Sequence, residues 1–313
     1  MKIAMTGGSG FIGTRLIEEL KVVGHEVVII DIAHDTPVDI LHQDKLNTAC
    51  AGCDAIYHLA AAHRDDIFPV DEYYEVNGVG TDNVTKAATV NNIKKIIFTS
   101  TVAVYAMNSN HADETHEPAP FNDYGKSKLE AEQNLKNWAS ASSDNYVSII
   151  RPVVVFGENN RGNVYNLIKQ ITGGKFLMIG AGKNKKSMAY VGNIATFLHS
   201  RLASRENFEV FNYADKPDFA TKNLIAIIYQ KLGQKAPTIA LPYGLGMIAG
   251  YIFDGLTRVT RKTFPISSIR IQKFCADTTI NADKAHATGF KPKFTLADGV
   301  ERMVQHDFKD HIS

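Results

Sequence analysis

Two patterns of apolar positions alternate along this chain. Residues 2–6, 26–30, 54–61, 94–100 and 147–150 are short, nearly continuous runs rich in Ile, Val and Ala, which read as strands buried on both faces. Residues 14–23, 71–90 and 124–139 instead space their apolar residues three or four apart, which reads as helix. Strand and helix in strict alternation argue a parallel sheet covered on both faces: an α/β, Rossmann-type doubly wound fold. After residue 156 the pattern loosens into short helices, glycine turns and basic residues, and residues 191–203 and 208–213 resume the sheet pattern. Further helices are expected over 221–232 and 243–256.

The chemistry sits where the strands end. The first run enters Gly7-Gly8-Ser9-Gly10-Phe11-Ile12-Gly13 and then a helix, the strand–turn–helix context that a dinucleotide fingerprint requires. Gly7 permits the tight turn, Gly10 lets the backbone approach a pyrophosphate, and Gly13 lets helix pack on strand. The helix start at Phe11, Ile12 and Gly13 offers free N–H groups to the anion. The spacing is Gly-x-x-Gly-x-x-Gly in place of Gly-x-Gly-x-x-Gly. Asp31 closes the second run at the distance where an acidic residue binds the adenosine ribose, or alternatively caps the next segment. A carboxylate there repels a 2′-phosphate, and no Arg or Lys follows before Lys45, so NAD is expected over NADP. Asp39 and Ile40 are candidates to contact adenine. Leu59, Ala60 and Ala61 end the third run and suit close approach of a cofactor. Ser100 and Thr101 end the fourth, at the carboxyl edge where open sheets place ligands. Tyr124 and Lys128 lie four apart at a helix start and so share one face, where the cation favours a phenolate able to take a proton from an alcohol.

Composition restricts the partners. A formal charge of +1 over 313 residues gives no general pull toward nucleic acid or an anionic membrane, so any anion site is local. The N-terminus starts directly in a strand with no signal-peptide pattern, and a cytoplasmic location is expected. The uncharged run 237–253 falls short of a bilayer span and is expected to be a buried helix with its preceding strand; no membrane partner is expected. Cys50 and Cys53 form a Cys-x-x-Cys at the end of a helix, without the further ligands of a metal site, and no metal is expected. His58 reads as a buried, satisfied histidine.

Taken together, Thr6-Gly7-Gly8-Ser9-Gly10-Phe11-Ile12-Gly13, Asp31, Leu59-Ala60-Ala61, Val76-Asn77, Thr101, Tyr124-Gly125-Lys126-Ser127-Lys128 and Arg151-Pro152 resemble the extended short-chain dehydrogenase/reductases, with the nucleotide-sugar epimerases and dehydratases the nearest subgroup. The resemblance covers the first half of the chain and the segment 183–194; the last hundred residues match loosely. It implies a triad with Tyr124 as acid/base, Lys128 lowering its pKa and holding the nicotinamide ribose, and Thr101 bonding the reacting oxygen. It also implies that Asn77, Pro152 and Val153 lie by the cofactor, and that Arg161, Lys186 and Arg270 meet a nucleotide diphosphate. Asn163 either bonds the sugar or caps a helix. The family's dehydratases carry an Asp-Glu pair after the triad hydroxyl, whereas this chain has Val102-Ala103, and Ala106 and Lys186 stand where Gly and Arg are usual.

The division expected is an NAD-binding domain of residues 1–156, with 191–214 returning to it, and a smaller α/β substrate domain of 157–190 and 215–313. The function expected is an NAD-dependent nucleotide-sugar 4-epimerase acting on a UDP-hexose or UDP-N-acetylhexosamine, as a homodimer. A 4-keto-sugar reductase using NADH or NADPH and a catalytically idle NAD-binding sensor are the alternatives.

Overall fold

The computed structural model describes residues 1–312 apart from 65, 66, 108, 110, 238 and 261–266, and gives residue 259 by its backbone alone. The first half of the chain runs β1 (Lys2–Thr6), α1 (Phe11–Val22), β2 (Glu26–Ile30), α2 (Gln43–Ala49), β3 (Ala55–His58), α3 (Asp71–Tyr73), α4 (Gly80–Val90), β4 (Lys95–Thr99), α5 (Asp123–Ser140), β5 (Tyr146–Pro152) and the short β6 (Val154–Phe156). It continues through α6 (Asn163–Thr172), β7 (Lys185–Tyr190), α7 (Val191–Ser200), β8 (Phe208–Tyr213), β9 (Asp215–Ala220), α8 (Thr221–Lys231), α9 (Tyr243–Thr260), α10 (Ser268–Cys275), α11 (Asp283–Ala287) and α12 (Leu296–Asp307).

Six strands form one sheet in the order β2-β1-β3-β4-β5-β8, every pair parallel. The period of two along each strand sorts its side chains between two cores. Ile3 and Met5 of β1 join Leu16, Leu20 and Phe197 under α1 and α7, while Ala4 joins Val84, Ala131 and Leu135 under α4 and α5. Successive strands go out to opposite sides of β1, so a crevice opens at the carboxyl ends of β1 and β3, where such sheets hold ligands.

The chain divides into two compact units. One comprises Met1–Val155, Ala189–Ala214 and Ile280–Phe294; the other comprises Phe156–Met188, Asp215–Thr279 and Thr295–Ser313. The sequence reading left 280–294 with the second half. The structure groups it with the first because Ala282 and Ala285 are buried in the sheet's core and Lys284 Nζ donates to the Val210 carbonyl at 2.8 Å. In the second unit β7 runs antiparallel to β9, and α12 packs on α8, joined by Lys231–Glu301 at 2.6 Å.

Two expectations are corrected. The helix over 71–90 is continuous but widens into a π-helical turn at Tyr74–Val79. The segment before α9 is not a strand of either sheet, making only an isolated bridge from Leu241 to Ile179, and α9 is not a buried helix, since much of its apolar surface faces outward. Among the described residues no helix is long and apolar enough to cross a membrane.

Candidate active site

The glycine turn is a cradle that side chains would fill. Gly7 has φ +69°, and a Cβ there would lie 2.5 Å from the Ala60 nitrogen, so β1's turn lies directly against the end of β3. A Cβ on Gly13 would fall 2.5 Å from the Gly7 carbonyl oxygen, and one on Gly10 would fall 3.1 Å from it. The start of α1 has no side-chain cap and no acidic residue in its first turn, leaving its N–H groups and the positive end of the helix dipole for an anion. These features fit a dinucleotide pyrophosphate. Asp31 accepts from the Ser9 N–H at 3.0 Å and the Ala33 N–H at 2.9 Å, which fixes its carboxylate beside the turn. Asp39 accepts from the Leu41 N–H at 2.9 Å, and Ile40 is buried in the core, its end seated where a Gly80 side chain would otherwise be.

Beyond β3, Leu59 and Ala60 are tied to β1: the Leu59 N–H donates to the Thr6 carbonyl at 3.0 Å and the Ala60 N–H to Thr6 Oγ1 at 3.3 Å. Ala61 follows. Asn77, in the π-helical turn, is 1% exposed and fully engaged. Its amide clamps Ala62 through both backbone groups at 3.0 Å and donates to Ser127 Oγ at 2.9 Å, tying the β3 loop to α5. A π-turn that redirects one polar side chain in this way is a recurrent feature of functional sites.

Below lies His58, fully buried between Thr6 Oγ1 at 2.7 Å from Nδ1 and Thr81 Oγ1 at 2.9 Å from Nε2. Thr81 gives its own proton to the Asn77 carbonyl, so it accepts from Nε2–H, and Nδ1 accepts from Thr6. The ring is therefore neutral, and burial, reinforced by nearby Lys128, holds its pKa down to about 3.

Thr101 caps the short 3-10 turn Val102–Val104, accepting from the Ala103 N–H at 3.1 Å, and is buried. Asn122 caps α5 through the Gly125 N–H at 2.9 Å, placing Tyr124 and Lys128 in its first turns. Gly125 is what brings these two segments together: a Cβ there would sit on the Ala103 carbonyl oxygen. Tyr124 is half-buried, its ring 6.4 Å from that of Tyr73. Lys128 is 1% exposed, with Nζ 4.0 Å above the Phe98 ring. Burial lowers its pKa to about 7, against the attraction of Glu132.

Glu132 continues the stripe begun by Tyr124 and Lys128, one turn further along α5. It is buried and anchors a polar network that sequence reasoning missed. Glu132 accepts from Ser100 Oγ and, through both oxygens, from Arg151 (Nε at 2.9 Å and Nη2 at 2.5 Å). Arg151 Nη1 donates to Tyr105 OH at 2.8 Å, and that hydroxyl donates to Asn212 Oδ1 at 2.9 Å. The network locks α5 to β5, β8 and the segment that follows β4, one helical turn beyond Lys128. The four-residue repeat Tyr124, Lys128, Glu132 was the available signal. Pro152 and Val153 lie at the end of β5, Val153 donating to the Tyr213 carbonyl at 3.1 Å.

The residues expected to meet the substrate's diphosphate all lie in the second unit. Arg161 is exposed and stacks its guanidinium 4.3 Å from the Tyr165 ring centroid. Asn163 is the first residue of α6, whose N-cap is Gly162, so Asn163 is not the cap. Lys186 directs Nζ to the Lys273 and Ala276 carbonyls at 3.0 and 3.1 Å, and burial lowers its pKa. Arg270 lies exposed in the first turn of α10, its N–H capped by Ser267 Oγ at 3.3 Å. Cys50 and Cys53 are buried thiols, Cys50 pushed up to about 12 by burial, and no metal-ligating group of three or more occurs among the described residues.

Known proteins resemble this chain over nearly its whole length. An Escherichia coli O157:H7 protein, N-acetyl-alpha-D-glucosaminyl-diphospho-ditrans,octacis-undecaprenol 4-epimerase, is 47% identical, with 99% of this chain and 98% of that protein covered. The UDP-glucose 4-epimerase of Vibrio cholerae is 27% identical over 97% of this chain and 94% of its own length. A UDP-glucuronic acid 4-epimerase from Bacillus cereus, solved with NAD, superposes with a TM-score of 0.77 over 99% of this chain and all of that one, at 23% identity, and so shares the fold. The family model described as the NAD dependent epimerase/dehydratase family matches residues 3–214, and the chain belongs to that family.

Proposed function

We propose that the protein is an NAD-dependent 4-epimerase of an N-acetylhexosamine carried on a diphosphate, with Thr101, Tyr124 and Lys128 as its catalytic residues. In this reading the first unit binds NAD and the second the substrate. NAD, held at the glycine cradle and Asp31, supplies reversible acceptance of a hydride. Tyr124, as phenolate, takes the proton of the 4-hydroxyl and later returns it to that oxygen once hydride has come back to the opposite face of the carbon. Thr101 donates a hydrogen bond to the reacting oxygen. Lys128 favours the phenolate, and because burial has drawn its own pKa to about 7, an anion at Tyr124 and the charge on Lys128 stabilise each other. The hydroxyl of Thr101 is followed by Val102-Ala103, so no acid and base stand there to eliminate water. Arg161, Asn163, Lys186 and Arg270 are the proposed substrate contacts, the guanidinium groups pairing with the diphosphate.

The observation that carries the reading is the meeting of the start of α5 with the Thr101 turn at Gly125, beside a cradle that fits a pyrophosphate. The carrier of the sugar rests on identity. The relative at 47% has an undecaprenyl diphosphate in its name, and the one at 27% has UDP. A polyprenyl diphosphate is the proposed carrier, with UDP the second reading. The test is to incubate purified protein, without added cofactor, with N-acetylglucosamine on each carrier and separate the released hexosamines. Interconversion with N-acetylgalactosamine on the polyprenyl carrier is expected; conversion on neither carrier, together with no NAD in the denatured protein, overturns the reading. Unbridged Cys50 and Cys53 suit a reducing, cytoplasmic compartment, and the family resemblance supports a homodimer, which light scattering tests.

A further inference from the structure

Helix α9 presents its apolar side outward. At about 100° per residue, Gly244, Leu245, Ile248, Tyr251, Ile252, Gly255 and Leu256 fall within an arc of roughly 140°. All are exposed, with Ile248 and Ile252 at 58% and Tyr251 at 60%. The opposite arc faces the second unit. A Cβ on Gly246 would lie 2.7 Å from Ile179 and one on Gly250 2.8 Å from Ser268 Cα, while Asp254 on the same side accepts from Ser268 Oγ. The inward side, with Gly246, Ala249, Gly250 and Phe253, is largely apolar too, so the helix lacks the polar outer face of an ordinary surface helix. The outward arc holds no charged side chain, and its one polar group is the Tyr251 hydroxyl.

The sequence beside this arc is cationic. Residues 255–276 hold Arg258, Arg261, Lys262, Arg270 and Lys273 and no Asp or Glu, in a chain whose formal charge is +1. Arg258 and Lys273 are exposed. The exposed Arg258 and Lys273, on α9 and α10, put positive charge by an apolar, tyrosine-bearing helix face, which matches the chemistry of an anionic bilayer surface, in which such a helix lies flat with its apolar side among the acyl chains. A second copy of the chain is the poorer occupant, because a two-fold interface centred on α9 would bring the Arg258 side chains of the two copies toward one another. No described helix is long and apolar enough to span.

We propose that the outward face of α9 docks the protein on the surface of an anionic phospholipid bilayer. The proposal departs from the sequence-based expectation of no membrane partner, and the experiment below decides between them. It is independent of the reaction assigned above, since the readout below uses no substrate.

Co-sedimentation with vesicles of equimolar phosphatidylglycerol and phosphatidylcholine is expected for the full chain, with weaker binding to pure phosphatidylcholine and at high salt. The double variant Ile248→Glu/Ile252→Glu should lose at least tenfold in partitioning, while keeping its bound NAD and thermal midpoint. Arg258→Glu, at an exposed position, should lose about fivefold or more on the anionic vesicles alone. Wild-type protein that stays in the supernatant, or a double variant that binds as wild type, overturns the proposal. So does a variant whose only change is a halved mass in light scattering, which would assign the face to a contact between copies.

Discussion

Burial moves the ionisation of two neighbouring groups far from its ordinary range, holding His58 neutral and lowering Lys128. His58 titrates near 3 in the fold and near 6.5 unfolded, so the unfolded chain binds the extra proton between those values. The stability this residue contributes is complete above pH 6.5 and is lost as pH falls toward 3. Urea midpoints measured from pH 7 to pH 4 should fall, and His58→Gln should flatten that part of the curve. Lys128 is lowered to about 7 from 10.5, so the folded chain gives up its proton first, and stability from this residue rises with pH across 7 to 10.5. Lys128→Met should therefore raise stability at pH 7, by on the order of 1 kcal/mol, while lowering turnover by 10²-fold or more, the trade expected of a strained site. Tyr124→Phe should lower turnover by about 10²–10⁴-fold and leave NAD bound, read by single-turnover assay and by the nucleotide released on denaturation. The shared face of Tyr124 and Lys128 was legible in the sequence, since residues four apart in a helix lie together, and both stand in the first turns of α5. Glu132 was not, since a glutamate within a helix reads as solvated until Arg151, on a strand 19 residues away in sequence, is seen to bury it.

At the level of elements, glycine decides how closely segments approach. Gly13 allows α1 to rest on the turn's own carbonyls, so Gly13→Val should displace the helix start and lower NAD affinity at least tenfold, measured by isothermal titration. The glycine motif announced this, because each glycine's role follows from its place between strand and helix. Gly125 announced nothing: its purpose is to meet Ala103, on a segment more than twenty residues earlier, and only the packed structure shows it. The π-turn holding Asn77 was likewise invisible, because one inserted residue hardly disturbs helical periodicity over 71–90. For α9 the periodicity was read correctly as helix, and its direction was not. An apolar stripe states that a face avoids water, and whether protein or lipid covers it depends on what packs on the other side.

For the whole molecule, the parallel order β2-β1-β3-β4-β5-β8 delivers the cradle, Asp31 and Thr101 to one edge of one sheet. A ligand bound there stabilises the folded chain by mass action. NAD added to protein stripped of it, at a hundred times its Kd, should raise unfolding free energy by ~2.7 kcal/mol, and Asp31→Arg should transfer much of that gain to NADP. An unchanged thermal midpoint with either nucleotide would argue against the cradle. The sequence by itself determined the strand and helix alternation, the position of the dinucleotide turn and the Tyr124–Lys128 pair, because each is a local pattern whose meaning is set within about thirty residues. Tertiary structure alone decided that Glu132, Arg151, Tyr105 and Asn212 form one buried network, that 280–294 returns to the first unit, and that α9 faces outward. Those outcomes depend on which distant segments remove one another from water, and no local pattern records that.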